Sequence, residues 1–507
     1  MIGEAGVPIV FEGRPPFADD PTGSNDEYIG AVVVGYWRGC LPTPAAVVVD
    51  RASGALTRAL AGSHFAGEEG DVLTVLAPAS PACERVILLG LGDEAELDPA
   101  RLRRLGGIAA KALMESTGGR AVIGLGLDGF LAAQFAYGLR LRGHTPLNLR
   151  SRPDPDRPAG PAEIVVATSD PDAARNLFSR LESVAEGVHL ARDLVAEPAN
   201  RLTPQAMAEQ AAALEALGVE VEILEDAALK AEGLGLLAGV GQGADNPPCL
   251  ALLRWRGSGE EGQPPLILAG KGITFDTGGI SIKRYDSLHE MKGDMAGAAA
   301  VLGAMRALAG RQARVEAVGV LALAENAVSG RALRPGDVLR SYAGKTVEII
   351  DTDAEGRLVL ADALAYACSR YRPAAVLSLA TLTGAVVTAL GRHRAGLFSN
   401  DEALAAKVLE AGEAADEPVW RLPILPQHDE DLASDIADTR NCAWGKVPDA
   451  LHAARFLMGF IPEGVAWGHL DMAGTARTEE DLPLCPKGAT GWGVRLLDRL
   501  VAEGWER

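Results

Sequence analysis

Cysteine is sparse, with six in 507 residues. Cys40, Cys83, Cys249, Cys368, Cys442 and Cys485 lie far apart and none falls in a Cys-x-x-Cys, which excludes the usual zinc-finger and disulfide-framework spacings. Scattered thiols fit a reducing compartment, so a cytoplasmic location is expected. Basic residues are outnumbered, 48 Lys plus Arg against 68 Asp plus Glu, for a formal net charge of -20. That balance favours solubility and argues against a broad nucleic-acid surface. The eight histidines form no His-Glu-x-x-His and no pair. His469, in Trp467-Gly-His-Leu-Asp-Met-Ala-Gly474, reads as a packed strand residue rather than a ligand. There is no Gly-x-Ser-x-Gly and no Ser/His/Asp arrangement, so covalent catalysis has no support. No basic segment followed by an apolar run opens the chain, and no signal peptide is expected. One uncharged stretch, residues 374–391, reaches the length of a membrane span. Ser378, Thr381, Thr383, Gly384 and Thr388 interrupt it, so a buried strand, a turn and a buried helix are expected, and no membrane partner.

What is present is a globular composition, 48% hydrophobic and 23% charged, on a chain too long for one ordinary domain. In the first part, residues 31–35, 46–49, 72–76, 86–91, 121–125 and 163–166 read as strands. Asp98 and Pro99 read as the cap and first position of a helix to residue 113. Gly90-Leu-Gly92 fails the dinucleotide fingerprint at Ala95. Five prolines mark residues 146–161 as a surface loop. Leu177, Leu181, Val184, Val188, Ala191 and Leu194 recur at helical spacing, predicting a long helix over residues 172–195. Beyond it, residues 219–224, 249–253, 266–269, 315–323, 347–350, 375–379 and 465–470 read as strands. The expected fold is α/β in two domains, each a mostly parallel or mixed sheet flanked by helices, joined by a long helix. The expected boundaries are 1–170, a linker helix 171–196, and 197–507.

The chemistry concentrates in two stretches of the second domain. Asp351-Thr-Asp-Ala-Glu-Gly-Arg-Leu358 follows a short apolar run and precedes a helical pattern, so three acids and an arginine sit at a strand-to-helix turn. In open α/β sheets that edge binds ligands. Asp353 and Glu355 are two apart and point the same way if the segment is extended. Two such carboxylates repel unless a proton or metal lies between them. Arg357 adds a fixed fork able to hold a small oxyanion. The second stretch, residues 267–283, runs from a buried strand into a glycine-rich loop and carries Lys271, Asp276 and Lys283, with Asp294 following. Four carboxylates could hold two divalent ions, typically about 3.5–4 Å apart, that activate a water. Residue chemistry alone leaves open whether Lys271 or Lys283 ligates, because only a neutral amine coordinates. Taken singly, Asp294 could cap the helix after it, Asp276 with Gly278 and Gly279 could build a turn, and the lysines could be solvated.

The signatures K-G-x-x-F-D-x-G-G-x-x-x-K and T-D-A-E-G-R-L together resemble the leucine aminopeptidase family of cytosol aminopeptidases. Residues 326–338, 380–385, 434–438 and 469–475 are similar to further family segments, and the likeness runs the length of the chain. The resemblance implies an aminopeptidase that cleaves the N-terminal bond of peptides with a free α-amine, using two divalent ions, manganese or zinc. Lys271, Asp276, Asp294 and Glu355 would hold the looser ion, and Asp276, Asp353 and Glu355 the tighter one. Lys283 would polarise the scissile carbonyl. Arg357 would hold a bicarbonate acting as general base. Met291, Asp351, Thr381, Leu382 and Gly384 would line the substrate site. The first domain would be non-catalytic and macro-like, and the assembly a homohexamer. Two departures stand out: Asp351 occupies a position usually Asn, and residues 284–290 depart from the usual proline-containing loop.

Two other readings use the same residues. Some relatives in this family double as DNA-binding architectural factors, and Arg140-Leu-Arg-Gly-His144 with Arg150 and Arg152 is a local basic run; its plainer reading is a solvated surface segment. A two-metal hydrolase of another bond, such as a phosphoester, would use Lys283 and Arg357 equally well.

Overall fold

The computed structural model describes residues 6–13, 29–51, 53–78, 83–145, 147–152, 158–257, 262–284, 287–445 and 447–506. The chain forms two compact units, residues 2–185 with 480–487, and residues 186–479 with 488–507. Each is a sheet flanked by helices. The 26-residue helix Pro171–Ala196 begins in the first unit and ends in the second.

The first unit holds a seven-stranded sheet ordered Ile9–Glu12, Glu163–Thr168, Arg120–Leu127, Ile29–Trp37, Cys83–Gly92, Val72–Leu76, with Leu41–Pro42 paired beside Ile29–Trp37. Its central pairings are parallel, and the Val72–Leu76 edge is antiparallel. Neighbouring residues bury in opposite directions: Val33, Ile87 and Ile123 pack in one core, Val32, Val34 and Val86 in another. That two-sided burial explains the unbroken apolar runs. Asp98 accepts the Arg101 amide at 2.7 Å and starts the helix Pro99–Leu113. The strand expected at residues 46–49 is instead part of the helix Pro44–Arg51. Three successive valines favour a strand, but Thr43-Pro44 is a helix start, and the Val47 amide bonds the Thr43 carbonyl at 3.1 Å. Ala46 and Val49 then bury on one face while Val47 stays exposed. Of the proline-rich loop, residues 146 and 153–157 lie outside the described residues.

The second unit is built on an eight-stranded mixed sheet. Its order is Val419–Arg421, Ala395–Ser399, Ala466–Asp471, Ala375–Ala380, Leu266–Asp276, Glu316–Asn326, Cys249–Arg256, Glu220–Glu225. The four middle strands, Ala466–Asp471 through Glu316–Asn326, are mutually parallel, and antiparallel pairings flank them on both sides. From Leu266–Asp276 the chain crosses first to Glu316–Asn326 on one side, then to Ala375–Ala380 on the other. That reversal opens a crevice at the strands' carboxyl ends. Residues 347–350 do not join this sheet. Thr346–Glu348 pairs with Val338–Arg340 and Thr439–Arg440 in a separate three-stranded sheet. Ala395–Ser399 and Val419–Arg421, unforeseen in the sequence, extend the main sheet by two short strands. Residues 374–391 fold as the buried strand Ala375–Ala380 and the helix Gly384–Leu390. That helix is not buried; only Val386 is fully enclosed. Among the described residues no helix is long and apolar enough to cross a membrane.

Candidate active site

All four parallel strands end in a residue that bonds into one cluster, or in the residue just before one. Leu266–Asp276 ends on Asp276, Glu316–Asn326 on Asn326, Ala375–Ala380 just before Thr381, and Ala466–Asp471 on Asp471. The register places Lys271 as well. Leu266–Asp276 pairs with Ala375–Ala380 only through Gly270–Leu379, so Lys271 is the first residue freed from that neighbour. Its Nζ reaches Asp294 Oδ2 at 2.7 Å, Glu355 Oε1 at 2.8 Å and the Thr381 carbonyl at 3.1 Å. Gly356 makes room for it. A Cβ there would lie 2.8 Å from Lys271 Nζ and 2.6 Å from its Cε.

Asp276 does two jobs. Oδ1 accepts the Gly278 amide at 2.8 Å, closing a turn in which Gly278 and Gly279 have φ of 86° and 65°. Oδ2 lies 2.8 Å from Lys283 Nζ, which also pairs with Asp353 Oδ1. Residues with a side chain rarely adopt those φ values and are strained there, and a Cβ on Gly278 would press on Asp353 Oδ1 at 3.1 Å. Asp294 is not the cap of Ala296–Gly310: Met295 holds that position, and no side chain caps the helix. Its Oδ1 instead accepts the Thr381 hydroxyl at 2.7 Å.

The 351–355 segment is a turn, not extended, with the Ala354 amide bonded to the Asp351 carbonyl at 3.3 Å. Asp353 and Glu355 converge all the same. One carboxylate oxygen each from Asp276, Asp353 and Glu355 lies within 4.8 Å of the other two. Asp294 stands outside that trio and joins it through Lys271. Four carboxylates thus face two ammoniums, nearly all buried. Burial opposes the charge on Lys271 and Lys283, but the surrounding carboxylates outweigh it and raise both. Burial and the neighbouring carboxylates push Asp294 and Asp353 up. Two positive charges leave the cluster short of neutrality, and buried Glu355 Oε2 has no hydrogen-bond donor among the described residues. Crowded, under-neutralised oxygens of this kind suit divalent cations.

Four further residues hold the cluster in place. Asn326 Nδ2 donates to Asp276 Oδ1 at 2.8 Å and to the Thr352 carbonyl at 3.0 Å, tying the two signature stretches together. Asn441, fully buried, accepts the Ile350 amide on Oδ1 at 2.8 Å and donates from Nδ2 to the Asp351 carbonyl at 2.6 Å. Asp471 accepts the Leu382 and Thr383 amides, both at 3.1 Å, and fixes the loop carrying Thr381 and Leu382. Burial raises its pKa to about 6. Asp449 pairs with Arg357 at 2.7 Å. Asn326 and Asp471 lie in segments similar to the family, but spacing gives them no role. Asn441 and Asp449 carry no sequence signal, because each acts across about ninety residues.

The other candidate residues are placed as follows. Asp351 is buried, and its Oδ1 accepts the Asp353 amide at 2.9 Å. Met291 lies half-buried in the short helix Leu288–Gly293. Gly384 is exposed at the start of Gly384–Leu390. Arg357, buried, turns to Asn441 and Asp449.

Residues 189–498 match the cytosol aminopeptidase family catalytic domain, and residues 33–153 match that family's N-terminal domain. The chain belongs to the cytosol aminopeptidase family. This aminopeptidase is 43% identical over 470 residues to a probable cytosol aminopeptidase of Caulobacter vibrioides, covering 92% of this chain and 95% of that protein. It is 42% identical to one from Rhizobium meliloti, covering 99% and 100%. Among solved structures it is similar to a tomato leucine aminopeptidase mutant, with TM-score 0.84, 32% identity and coverage of 98% and 97%. It is also similar to the bottromycin maturation enzyme BotP in complex with Mn, with TM-score 0.79, 35% identity and coverage of 93% and 98%. The aminopeptidase is therefore a metal-dependent enzyme acting on peptides.

Proposed function

We propose that the enzyme releases N-terminal residues from peptides with a free α-amine, with two divalent ions at the cluster. The observation that carries this reading is the convergence of Asp276, Asp353 and Glu355 within 4.8 Å, beside buried Lys271 and Lys283. Asp276, Asp353 and Glu355 would hold one ion; Lys271, Asp276, Asp294 and Glu355 would hold the other. Lys271 carries a proton in its ion pairs and would enter coordination only after releasing it. The ions would supply a water of lowered pKa and a polarised carbonyl. Lys283, paired with Asp276 Oδ2 and Asp353 Oδ1, would bind the scissile carbonyl oxygen as it gains charge. Thr381 and Leu382, pinned by Asp294 and Asp471, would present backbone groups to the substrate, with Met291, Asp351 and Gly384 around them.

Manganese is the first ion to test, because BotP carries it at 35% identity; zinc is the second. The name cytosol aminopeptidase on its relatives supports a cytoplasmic site of action, and the family resemblance a hexamer. A non-catalytic first domain is supported by the clustering of every candidate ligand in the second. Arg140 bonds Glu182 at 2.5 Å and Arg142 bonds Asp481 at 2.7 Å, which neutralises much of the basic run and weighs against DNA binding.

Turnover of an unblocked leucine anilide by chelated protein, then after adding manganese or zinc, tests the reading. Activity should return only with metal and should fail with the N-acetylated substrate. Equal cleavage of both substrates would overturn the α-amine requirement. Glu355→Gln or Asp353→Asn should lower kcat about 10³-fold or more, the worth of several kcal/mol of lost charge stabilisation, with circular dichroism unchanged. Full activity in either would overturn the two-ion assignment.

A further inference from the structure

Bicarbonate is the anion implied at Arg357, and the residues around that guanidinium do not fit it. Arg357 is 2% exposed. Its Nη1 donates to the Asn441 carbonyl at 3.1 Å and its Nη2 to Asp449 Oδ1 at 2.7 Å. Of its five N–H groups two are committed to these partners, and Nε is buried with no acceptor among the described residues, so an incoming anion meets a guanidinium already paired with a carboxylate. A bicarbonate would therefore have to share that guanidinium with a carboxylate already seated on it.

Asp449 is built into this position. It is the first residue of the ten-residue helix Asp449–Met458, where the backbone favours negative charge. Its side chain is 24% exposed against 2% for Arg357, so the carboxylate stands at the open end of a sealed guanidinium. No hydrogen bond reaches its Oδ2 among the described residues. Asn441 couples the pair to the proposed ligands: its carbonyl takes Arg357, and its side chain holds the 350–354 backbone that presents Asp353 and Glu355.

We propose that Asp449 supplies, from the chain itself, the anion that Arg357 would otherwise recruit from solution, and that it is the general base of peptide hydrolysis. This rests on the aminopeptidase reading above. The attacking water gives one proton to Asp449 Oδ2 as its oxygen bonds the scissile carbonyl carbon. The C–N bond then breaks, the departing nitrogen takes that proton, and Asp449 ends ionised. Arg357 stays protonated throughout and is a positioning residue that holds the carboxylate.

The experiment uses full-length, metal-loaded protein in CO2-free buffer. Wild-type turnover of leucine anilide should be unchanged by added bicarbonate, and 13C-labelled bicarbonate should show no saturable binding by NMR. Asp449→Ala should lose about 100-fold or more in kcat, the usual worth of a general base. It should gain a bicarbonate site, and added bicarbonate or formate should restore at least about tenfold. Asp449→Asn keeps the hydrogen bond to Arg357 without the charge, and should be slow and not rescued. Saturable bicarbonate binding by wild type, or Asp449→Ala turning over as fast as wild type without bicarbonate, would overturn the proposal. If wild type cleaves no unblocked anilide with any metal, the aminopeptidase reading fails, and the NMR measurement on wild type still decides whether Asp449 excludes the anion.

Discussion

Asn441 shows how far a single amide can reach in this site. It bonds the backbone on both sides of Asp351, and its own carbonyl holds Arg357. An alanine there would leave the Ile350 amide and the Asp351 carbonyl without their partner and free the loop that aims Asp353 and Glu355. Outer partners of metal ligands are typically worth about 10–100-fold in metal affinity or activity. Asn441→Ala should fall in that range, seen as a weaker apparent affinity for manganese with a smaller change in saturated kcat. A loss of kcat alone at saturating metal would argue against a positioning role. No pattern in the sequence marks this residue, because its partners lie about ninety positions away. Asp353, Glu355, Lys271 and Lys283 were legible by contrast, since chemically matched groups crowd into two short stretches.

At the scale of elements, the strand Ala466–Asp471 links core to site. It ends on Asp471, which pins the 381–383 loop, and carries His469 in its interior. His469 is fully buried, its Nδ1 lies 2.9 Å from the Ser378 hydroxyl, and its ring stacks with Phe398 and Trp467. Burial holds its pKa at about 3, below the ordinary 6.5. Between those values the unfolded chain binds a proton that the folded one refuses, so stability falls as pH drops below 6.5. At about 1.4 kcal/mol per pH unit, this group alone removes about 2 kcal/mol between pH 7 and pH 5. Urea unfolding should show that excess loss in wild type over His469→Gln. Parallel slopes in the two proteins would refute it. The strand and its packed histidine could be read from an apolar run. The helix Pro44–Arg51 could not be read from its valines, because the Thr43-Pro44 start overrides β-propensity once one face finds a core.

For the whole molecule, the site is a charge problem solved at one sheet edge. Four carboxylates gather where four parallel strands end, and two lysines neutralise half of them. Divalent ions binding only the folded chain should add stability, about 2.7 kcal/mol for one site at a hundredfold excess over Kd. Chelation should therefore abolish turnover and lower the urea midpoint together, and manganese or zinc should restore both. Loss of activity with no change in midpoint would mean that the ions contribute nothing to the fold.

The sequence by itself determined the α/β class, the run of buried strands and the identity of the charged groups, since periodicity and local motifs act over a few residues. Tertiary structure decided the rest. It set the strand order that opens the crevice beside Leu266–Asp276, and moved Thr346–Glu348 out of the main sheet. It turned Asp294 from a cap into a partner of Lys271, and brought Asp449 onto Arg357. Each of these depends on segments that meet only when the sheet is assembled, and the energy of such a contact leaves no local trace in the chain.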